Sequence, residues 1–269
     1  MKSYLYLSDI HANYESLKWL DTLPEMKDSN CEIRFGGDYI DGYDVKPKAT
    51  LNTLRYIKSL CESGKAQAIL GNHDQFLLDA AYRPFSHSWW YHNGREATLE
   101  NLGIPYASES DLREQLLYYL YDELQWLQSL PYCLEDDSNI LVHAGFELDL
   151  PISEQSVETM LWARDSYIDS VNQLTGVDLH PDFEGKVIIS GHTPTYTMKQ
   201  YEKPLSSCQI VSDSLQVDDK ILVTRYFIDG GSKSSLKESR INLLKLDLSG
   251  SVLWKGYLDE TGFHEYLES

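Results

Sequence analysis

The segment Ala68-Ile69-Leu70-Gly71-Asn72-His73-Asp74 decides how the rest of the sequence is interpreted. A short apolar run of this kind is typical of a buried strand. It ends at a glycine, which is followed at once by an amide, an imidazole and a carboxylate. In open α/β sheets, functional side chains gather in the crevice outside the carboxyl ends of the strands. The segment therefore predicts a strand that delivers Asn72 and His73 to a site.

An apolar run followed by a polar cluster occurs at four other places in the chain. These clusters are Asp9-Ile10-His11, Gly36-Gly37-Asp38, His143-Ala144-Gly145 and Ser190-Gly191-His192. A single strand-end histidine is more often a hydrogen-bonded structural residue, and an aspartate after a strand is usually a turn or a cap. Five such strand ends in one chain leave that interpretation little room, and they predict one shared site.

Composition limits the classes of protein to which the chain could belong. Its 269 residues allow one large domain or two small ones, and 42% hydrophobic with 24% charged residues are ordinary for a globular protein. The formal net charge of −19 argues against a nucleic-acid polymer or an anionic membrane as partner, because both are bound through Lys and Arg. A small phosphorylated substrate is not excluded, because a metal centre can invert the local field.

The cysteines and the N-terminus bear on the cellular compartment. Cys31, Cys61, Cys133 and Cys208 are far apart in the sequence, which argues against a thiolate zinc site and a dense disulfide framework. The first residues enter a predicted strand without a signal-peptide pattern, and no apolar run in the sequence approaches membrane-spanning length. We therefore expect a cytoplasmic location, and the sequence makes no prediction of oligomeric state.

Strands and helices alternate in the N-terminal part of the sequence, which predicts right-handed crossovers and a largely parallel sheet. Strands are predicted over residues 4–8, 33–35, 68–70, 139–142, 187–189, 209–211, 221–223, 226–228 and 242–246, with a hairpin turn over 248–252. Helices are predicted over residues 14–23, closed by Pro24, over 51–60, with Pro47 in the first turn and Gly64 after the end, and over 153–174, with Ser153 as N-cap and Gly176 as stop.

Residues 76–130 have a helical pattern that is dense in aromatic side chains, and they predict a helical insertion that covers one side of the site. The whole chain, residues 1–269, is predicted to form a single domain. The aromatic residues of the insertion are Trp89, Trp90, Tyr91, Tyr118, Tyr119, Tyr121 and Trp126. They could form a wall on which a substrate stacks, but a core for the insertion is the favoured interpretation.

The polar side chains at the strand ends offer oxygen and imidazole donors without thiolate. They are Asp9, His11, Asp38, Asn72, His143 and His192. Such donors suit Mn²⁺, Fe²⁺ or Zn²⁺. The set is larger than one tetrahedral ion needs, which favours two ions that share a carboxylate. Paired ions can clamp the attacking and leaving oxygens of a phosphoryl transfer and can lower the pKa of a bound water, and a neighbouring imidazole could protonate the leaving group.

The ordered motifs Asp-x-His, Gly-Asp-x-x-Asp, Gly-Asn-His-Asp, His-Ala-Gly and Gly-His-Thr resemble those of the calcineurin-like metallophosphoesterases. More narrowly, the chain resembles the serine/threonine phosphoprotein-phosphatase branch, whose bacterial members lie close to the symmetrical diadenosine tetraphosphatases. Residues 90–99, 161–165 and 228–231 are similar to further segments of that branch. The resemblance implies an α/β fold, namely a β-sandwich flanked by helices (α/β/β/α), with the site at the carboxyl ends of the strands.

The resemblance also implies a role for each site residue. Asp9 and His11 would hold the first metal ion, Asp38 would bridge both ions, and Asn72, His143 and His192 would hold the second. Manganese is the favoured ion, with iron and zinc as alternatives. His73 would be the general acid, oriented by Asp41. Arg164 would grip the substrate phosphate, which Asn72 would also contact.

Two residues depart from the pattern of that branch. The branch usually carries an arginine directly after Asp41, and Gly42 stands there in this chain. Arg164 alone, or Lys46 or Arg95, could take over the contact with the phosphate. The other departure is Asp74. Protein phosphatases commonly carry glutamate at this position, whereas aspartate is common there in dinucleoside tetraphosphatases.

Three functions follow from these observations. The main prediction is a dinuclear-metal phosphatase that hydrolyses phosphate monoesters, of a phosphoserine/threonine protein or a small phosphoester, through in-line attack by a metal-activated hydroxide. The alternative keeps the site and takes a dinucleoside tetraphosphate or another nucleotide as substrate. A second alternative is a non-catalytic scaffold. The missing arginine is its only support, and the intact set of ligands and acid counts against it.

Overall fold

The computed structural model describes residues 2–43, 45–83, 88–170, 178–200, 203–204, 208–217, 220–234 and 236–266. The strands are β1 (Ser3–Leu7), β2 (Cys31–Phe35), β3 (Ala66–Ala68), β4 (Cys133–Glu135), β5 (Asn139–Val142), β6 (Lys186–Ser190), β7 (Lys199–Gln200), β8 (Lys203–Pro204), β9 (Val211–Val217), β10 (Lys220–Phe227), β11 (Ile241–Asp247), β12 (Val252–Asp259) and β13 (Gly262–Glu265). The α-helices are α1 (Tyr14–Leu17), α2 (Ala49–Glu62), α3 (Asn72–Tyr82), α4 (Ser88–Tyr91), α5 (Arg95–Leu102), α6 (Glu109–Tyr119), α7 (Tyr121–Ser129), α8 (Val157–Trp162) and α9 (Asp165–Ile168).

Two sheets organise these elements. The first has the strand order β13-β12-β11-β1-β2-β3, in which β1, β2 and β3 run parallel and β11, β12 and β13 pair antiparallel. The second has the order β4-β5-β6-β10-β9, with β5, β6 and β10 parallel and an antiparallel strand at each edge. The prediction of parallel strands in the N-terminal part is thus right, and so is the hairpin turn predicted over 248–252, which joins the antiparallel strands β11 and β12.

The sheets pack face to face, with helices on both outer faces. Tyr6 of β1, Leu141 of β5 and Leu244 of β11 share one buried core, which lies between the two sheets. Leu5 and Leu7 belong instead to the core that the first sheet forms with its helices. Because successive side chains of a strand point to opposite faces, a strand that is buried on both faces reads as a continuous apolar run. The predicted α/β/β/α order is confirmed.

The helices on the two outer faces come from different parts of the chain. The first sheet is covered by α2 and by the helices between residues 72 and 129, whose buried apolar residues belong to its outer core. The second sheet is covered by the segment that contains α8 and α9, through Met160 and Tyr167. The described part of residues 76–130 is helical with loops, as predicted. The single-domain assignment stays a prediction.

Several predicted boundaries are wrong. The third strand lies over Ala66–Ala68, so that Ile69 and Leu70 follow it as buried loop residues. β10 is one strand where two were predicted over 221–223 and 226–228, and β9 begins only at the last residue of the range 209–211. The helix predicted over 14–23 is one α-helical turn followed by a 3₁₀ helix over Lys18–Thr22, and Pro24 begins another.

The predicted helix over 153–174 is also interrupted. A 3₁₀ turn over Ile152–Glu154 is followed by α8, whose N-cap is Ser156 rather than Ser153, and then by α9. The Ser156 hydroxyl accepts a hydrogen bond from the amide of Thr159, which fixes the start of the helix. Residues 171–177, with the predicted stop at Gly176, lie outside the described residues. Across the described ranges, we find no helix with the length and apolar character needed to cross a bilayer.

Candidate metal centre

Strand register brings the predicted ligands to one edge of the sandwich. The last residues of the parallel strands are paired, Leu7 with Phe35, Phe35 with Ala68, and Ser190 with both Val142 and Phe227. The polar residues one to four positions beyond these strand ends therefore meet. The loop after β10 is a sixth contributor, and it carries the buried Asp229.

All six predicted ligands are buried and lie together. One group contains Asp9, His11 and Asp38, the other contains Asp38, His143 and His192, and within each group the ligand atoms lie within 4.8 Å of one another. Asn72 joins the second group, because its Oδ1 lies 2.8 Å from Nε2 of His143 and 2.9 Å from Nδ1 of His192. Asp38 is common to both groups, as the resemblance implies. The assignment of each residue as a ligand stays a prediction.

Backbone carbonyls orient two of the imidazoles. Nδ1 of His11 donates to the carbonyl oxygen of Ile40 at 2.8 Å, and Nδ1 of His143 donates to that of Gly36 at 2.8 Å. Burial lowers the pKa of both rings, that of His11 to about 3, so that both are neutral near pH 7. Each ring therefore presents a lone pair at Nε2, which lies 3.6 Å and 3.4 Å, respectively, from an oxygen of Asp38. A ring whose other nitrogen donates to a carbonyl is the usual form of a metal-ligating histidine.

The unpaired atoms of the second group fit a cation. Nδ1 of His192 faces Oδ1 of Asn72 at 2.9 Å, whereas the other ring nitrogen, Nε2, is buried without a hydrogen-bond partner within the described residues. Nε2 of His143 and Oδ1 of Asn72 are both acceptors, and they face each other at 2.8 Å. Burial, together with the carboxylates of Asp229 and Asp38, raises the pKa of Asp9 well above its ordinary value. A divalent cation would satisfy the lone pairs and would compensate the buried carboxylates.

The loops of the centre adopt backbone conformations that are uncommon for residues with a side chain. Asp9, His11, Asp38, Asp41 and His192 all have φ between 48° and 67°. Non-glycine residues rarely enter this left-handed region, and such strain persists where the surrounding structure enforces it, typically at functional sites. The glycines beside them allow close approach. A Cβ at Gly191 would lie 2.0 Å from Oδ2 of Asp9, for example.

Asp74 ties two of these loops together, and the sequence did not reveal this role. Its carboxylate accepts hydrogen bonds from the backbone amides of Asp38 at 2.8 Å, Tyr39 at 2.9 Å and Gly71 at 3.0 Å. The loop after β2 and the start of α3 are thereby held in register. The only sequence signal was its place directly after His73, three residues into a helix that begins at a glycine.

The predicted acid and its orienting carboxylate are in contact. Nδ1 of His73 lies 2.6 Å from Oδ2 of Asp41, which is fully buried. Asp41 also accepts hydrogen bonds from Nε1 of Trp90 at 2.8 Å and from Oγ1 of Thr98 at 2.5 Å. Both donors belong to the helical insertion, so that the insertion holds the carboxylate that orients His73. The roles of His73 and Asp41 in a reaction stay predictions.

The aromatic residues of the insertion divide into two sets. Trp90 is fully buried and Trp126 stacks on Tyr39, which agrees with the favoured interpretation of a core. Trp89, Tyr91, Tyr118, Tyr119 and Tyr121 are exposed. An aromatic side chain that contacts a candidate ligand comes from outside the insertion: it is Trp162 of α8, whose ring centroid lies 5.9 Å from that of His192.

The two side chains considered in place of the arginine missing after Asp41 are paired with carboxylates in this structure. Arg95 is engaged by Glu96 at 3.0 Å and by Glu109 at 2.9 Å, and Lys46 pairs with Glu15 at 2.9 Å. Arg164 is exposed and lies directly before α9, as its N-cap residue. Its charge is felt at the second group, where burial, His143 and then Arg164 lower the pKa of His192.

A lysine that carries no sequence signal of its own lies against the predicted acid, His73. Nζ of Lys233 lies 3.0 Å from Nε2 of His73 and donates to the carbonyl oxygen of Asn93 at 2.9 Å. Lys233 belongs to the loop after β10, where Ile228-Asp229-Gly230-Gly231 was the only signal in the sequence. Its contact with His73 spans 160 residues, which no local pattern reveals.

Comparison with known proteins places these observations in a family. The sequence model of the calcineurin-like phosphoesterases matches residues 3–223. The symmetrical bis(5'-nucleosyl)-tetraphosphatase of Ralstonia nicotianae is 31% identical over 127 residues, which are 47% of this chain and 37% of that protein. Its namesake in Actinobacillus succinogenes is 29% identical over 55% of this chain and 46% of its own length. The chain thus spans less than half the length of these curated relatives.

Solved structures agree on the fold. A candidate diadenosine tetraphosphatase superposes with a TM-score of 0.56 and 15% identity, over 95% of this chain and 93% of that one. A serine/threonine phosphatase of Saccharomyces cerevisiae with similarity to human PP5 superposes with a TM-score of 0.53 and 12% identity, over 100% of this chain and 81% of that one. At these identities the likeness concerns the fold alone.

Proposed function

The chain belongs to the calcineurin-like phosphoesterase family, and on that premise we propose that it hydrolyses phosphoric esters or anhydrides with two divalent metal ions. One observation carries the proposal. Two groups of buried ligand atoms share Asp38, and beside them stands an imidazole that belongs to neither group. Asp9, His11 and Asp38 would hold one ion, and Asp38, Asn72, His143 and His192 the other. Bound ions of this kind polarise the phosphoryl oxygens and acidify water.

The protein's own residues supply the proton of the reaction. In hydrolysis, the oxygen of a water molecule bonds to phosphorus while the bond from phosphorus to the leaving oxygen breaks in line. Asp41 holds Nδ1 of His73, so that Nε2 faces the site and can deliver a proton to the leaving oxygen. Trp90 and Thr98 fix Asp41, and this limits the rotation of the imidazole.

For the substrate, we propose a dinucleoside polyphosphate rather than a phosphoprotein. The curated relatives cited above are named symmetrical bis(5'-nucleosyl)-tetraphosphatases, which favours the nucleotide alternative over the main prediction from sequence. Symmetrical hydrolysis of diadenosine tetraphosphate consumes one water and yields two ADP. The departing ADP oxygen would take its proton from His73.

Two cavities whose linings include residues next to the candidate site support a substrate larger than a phosphate monoester. One, of about 510 Å³, is lined by Ala12, Tyr43 and Ser232, next to His11 and Lys233. The other, of about 600 Å³, is lined by Phe146 and Trp162, and Trp162 contacts His192. Both volumes fall in the range of small-molecule sites. Each cavity offers a half-exposed aromatic ring, Tyr43 or Trp162, to a base.

The test is an activity panel with the protein loaded with Mn²⁺. We expect a higher kcat/KM for diadenosine tetraphosphate than for p-nitrophenyl phosphate, a phosphothreonine peptide or a phosphodiester, with ADP as the single nucleotide product. A higher kcat/KM for the monoesters would instead support the prediction from sequence that the protein is a phosphomonoesterase. Absence of turnover on all four substrates, with metal bound, would support the scaffold instead.

A further inference from the structure

We propose that Lys233 binds the phosphate of the substrate beside the leaving oxygen, in the place of the arginine that is missing after Asp41. The inference rests on the proposed function and adds a residue to it. Lys233 lies outside residues 3–223, the range matched by the family. Its assignment comes from its contacts, from the charges around it and from the packing at Gly42.

The ammonium group of Lys233 lies beside the atom that would donate the proton. Nε2 of His73 is the atom that would give up the proton, so that the leaving oxygen must come within hydrogen-bond distance of it. Nζ of Lys233 lies 3.0 Å from the same atom. An ammonium has only donors, so that Nε2 accepts a hydrogen bond from Nζ while no substrate is bound. A phosphate that arrives between the two groups would accept from Nζ instead, which would free Nε2 to carry the proton for the leaving oxygen.

The ammonium group of Lys233 has no direct anionic partner among the described residues. Within the described residues, no carboxylate oxygen lies within 4.0 Å of Nζ. Its contacts are the imidazole of His73, the carbonyl of Asn93 and the ring of Tyr43, whose centroid lies 5.6 Å from Nζ. The side chain is mostly removed from solvent. The pKa of Lys233 is lowered overall, and burial is the main cause. The carboxylates of Asp41, Asp38 and Asp229 oppose this shift, whereas the charge of Arg164 adds to it. A partly buried ammonium without a direct anionic partner is costly, and an arriving phosphate would supply that partner.

Hydrogen bonds fix the loop that carries Lys233. The hydroxyl of Ser232 donates to the carbonyl of Ile10 at 3.0 Å and accepts from Nδ2 of Asn13 at 3.2 Å. The amide of Gly231 donates to Asp229 at 2.7 Å. The loop is thereby fixed against the turn that carries Asp9 and His11, so that Lys233 is positioned relative to the candidate metal ligands. A binding group on such a support is placed more accurately than one on a free loop.

Gly42, which stands where the arginine is missing, is tightly packed against the backbone of His11. A Cβ at Gly42 would lie 2.0 Å from the carbonyl oxygen of His11 and 2.6 Å from Cγ1 of Val45. The backbone is too close at this point for any side chain. The absence of the arginine is therefore part of the packing here, and the cation has to come from another segment. Lys233 comes from the opposite end of the sequence and reaches the same acid.

The experiment measures phosphate binding separately from turnover. The Mn²⁺-loaded wild type is compared with Lys233→Met, with Lys233→Gln, which keeps a donor for Asn93 without the charge, and with Lys233→Arg. Lys220→Met is the matched control, because Lys220 is exposed at the start of β10. The readouts are bound metal, the thermal unfolding temperature, the Kd for inorganic phosphate by calorimetry, and kcat/KM for p-nitrophenyl phosphate and diadenosine tetraphosphate.

We expect Lys233→Met and Lys233→Gln to retain the metal and to raise the Kd for phosphate by about ten- to a hundredfold, the loss of one charge-assisted contact. Lys233→Arg should recover most of the affinity, and Lys220→Met should behave as wild type. An unchanged phosphate Kd in the folded, metal-loaded Gln variant overturns the inference, as does failure of arginine to restore binding. If the wild type binds phosphate through Lys233 but hydrolyses nothing, the proposed function fails while this inference stands.

Discussion

The Asp9–His11 half of the metal centre differs from the His143–His192 half in what surrounds it. Beside the first half lie the His73 ring, with its centroid 5.0 Å from that of His11, and Lys233. Beside the second lie Trp162 and the charge of Arg164. Each half thus has a cationic side chain and a cavity near it, and within the described residues the oriented proton donor lies beside the first half. In the proposed reaction, the leaving group departs on the side of His11 and the retained phosphate stays toward His192.

The largest expected effect comes from replacing Asp38, the ligand that the two halves share. Asp38→Asn replaces the carboxylate common to both ligand groups, and we expect at least about a hundredfold weaker metal binding together with loss of turnover. Metal content by atomic emission and kcat/KM on the same sample check this. Asp122→Asn, at an exposed position of α7, is the control. Full activity without bound metal would rule out the two-ion arrangement.

The next test concerns the half that carries the acid. His73→Asn should leave the metal content unchanged and lower kcat by about a hundred- to ten-thousandfold, because a positioned general acid contributes a factor of that size. The loss should be larger for a phosphothreonine peptide, whose alkoxide is a poor leaving group, than for p-nitrophenyl phosphate. An equal loss with both substrates would mean that His73 does not protonate the leaving group.

Arg164 tests the other half. Arg164→Met should raise KM and lower kcat/KM by about ten- to a hundredfold, because a guanidinium can bind phosphate oxygens bidentately. Arg113→Met, at an exposed site on α6, controls for the loss of one positive charge. If kcat/KM is unchanged in Arg164→Met, the phosphate is held by the Lys233 side alone.

The smallest expected effect separates the two cavities. Tyr43→Ala and Trp162→Ala should each raise KM for diadenosine tetraphosphate by about two- to tenfold, the size of one aromatic contact, and should leave KM for p-nitrophenyl phosphate unchanged. Steady-state kinetics with both substrates are sufficient. A rise with p-nitrophenyl phosphate as well would show that these rings support the centre and do not contact a base.

The sequence predicted the meeting of the ligands because each one follows a short apolar strand. Strands of a parallel sheet end at a common edge, so that local patterns at Asp9, Asp38, Asn72, His143 and His192 sufficed. The burial of Trp90 was expected, whereas its hydrogen bond to Asp41 was not. That contact joins residues 49 positions apart, and it depends on how the insertion folds back.

Other features escaped prediction for physical reasons that differ from case to case. Lys233 looks like any surface lysine until the loop after β10 is placed against the turn at Ile10. Asp74 looks like an ordinary helix-start residue, although it binds a neighbouring loop. The helix predicted over 153–174 failed because its apolar spacing could not reveal breaks at Gln155 and Ala163, where the chain becomes extended or irregular.

The division of the ligands between the two sheets has a consequence for unfolding. Asp9, His11 and Asp38 follow strands of the first sheet, whereas His143 and His192 follow strands of the second. An ion held by the second group would therefore fasten one sheet to the other, and an ion held by the first group would not. By mass action, free metal at a hundred times its Kd adds about 2.7 kcal/mol to the free energy of unfolding. The second ion would thus cross-link the two sheets, and its release would remove a contact across the interface between them.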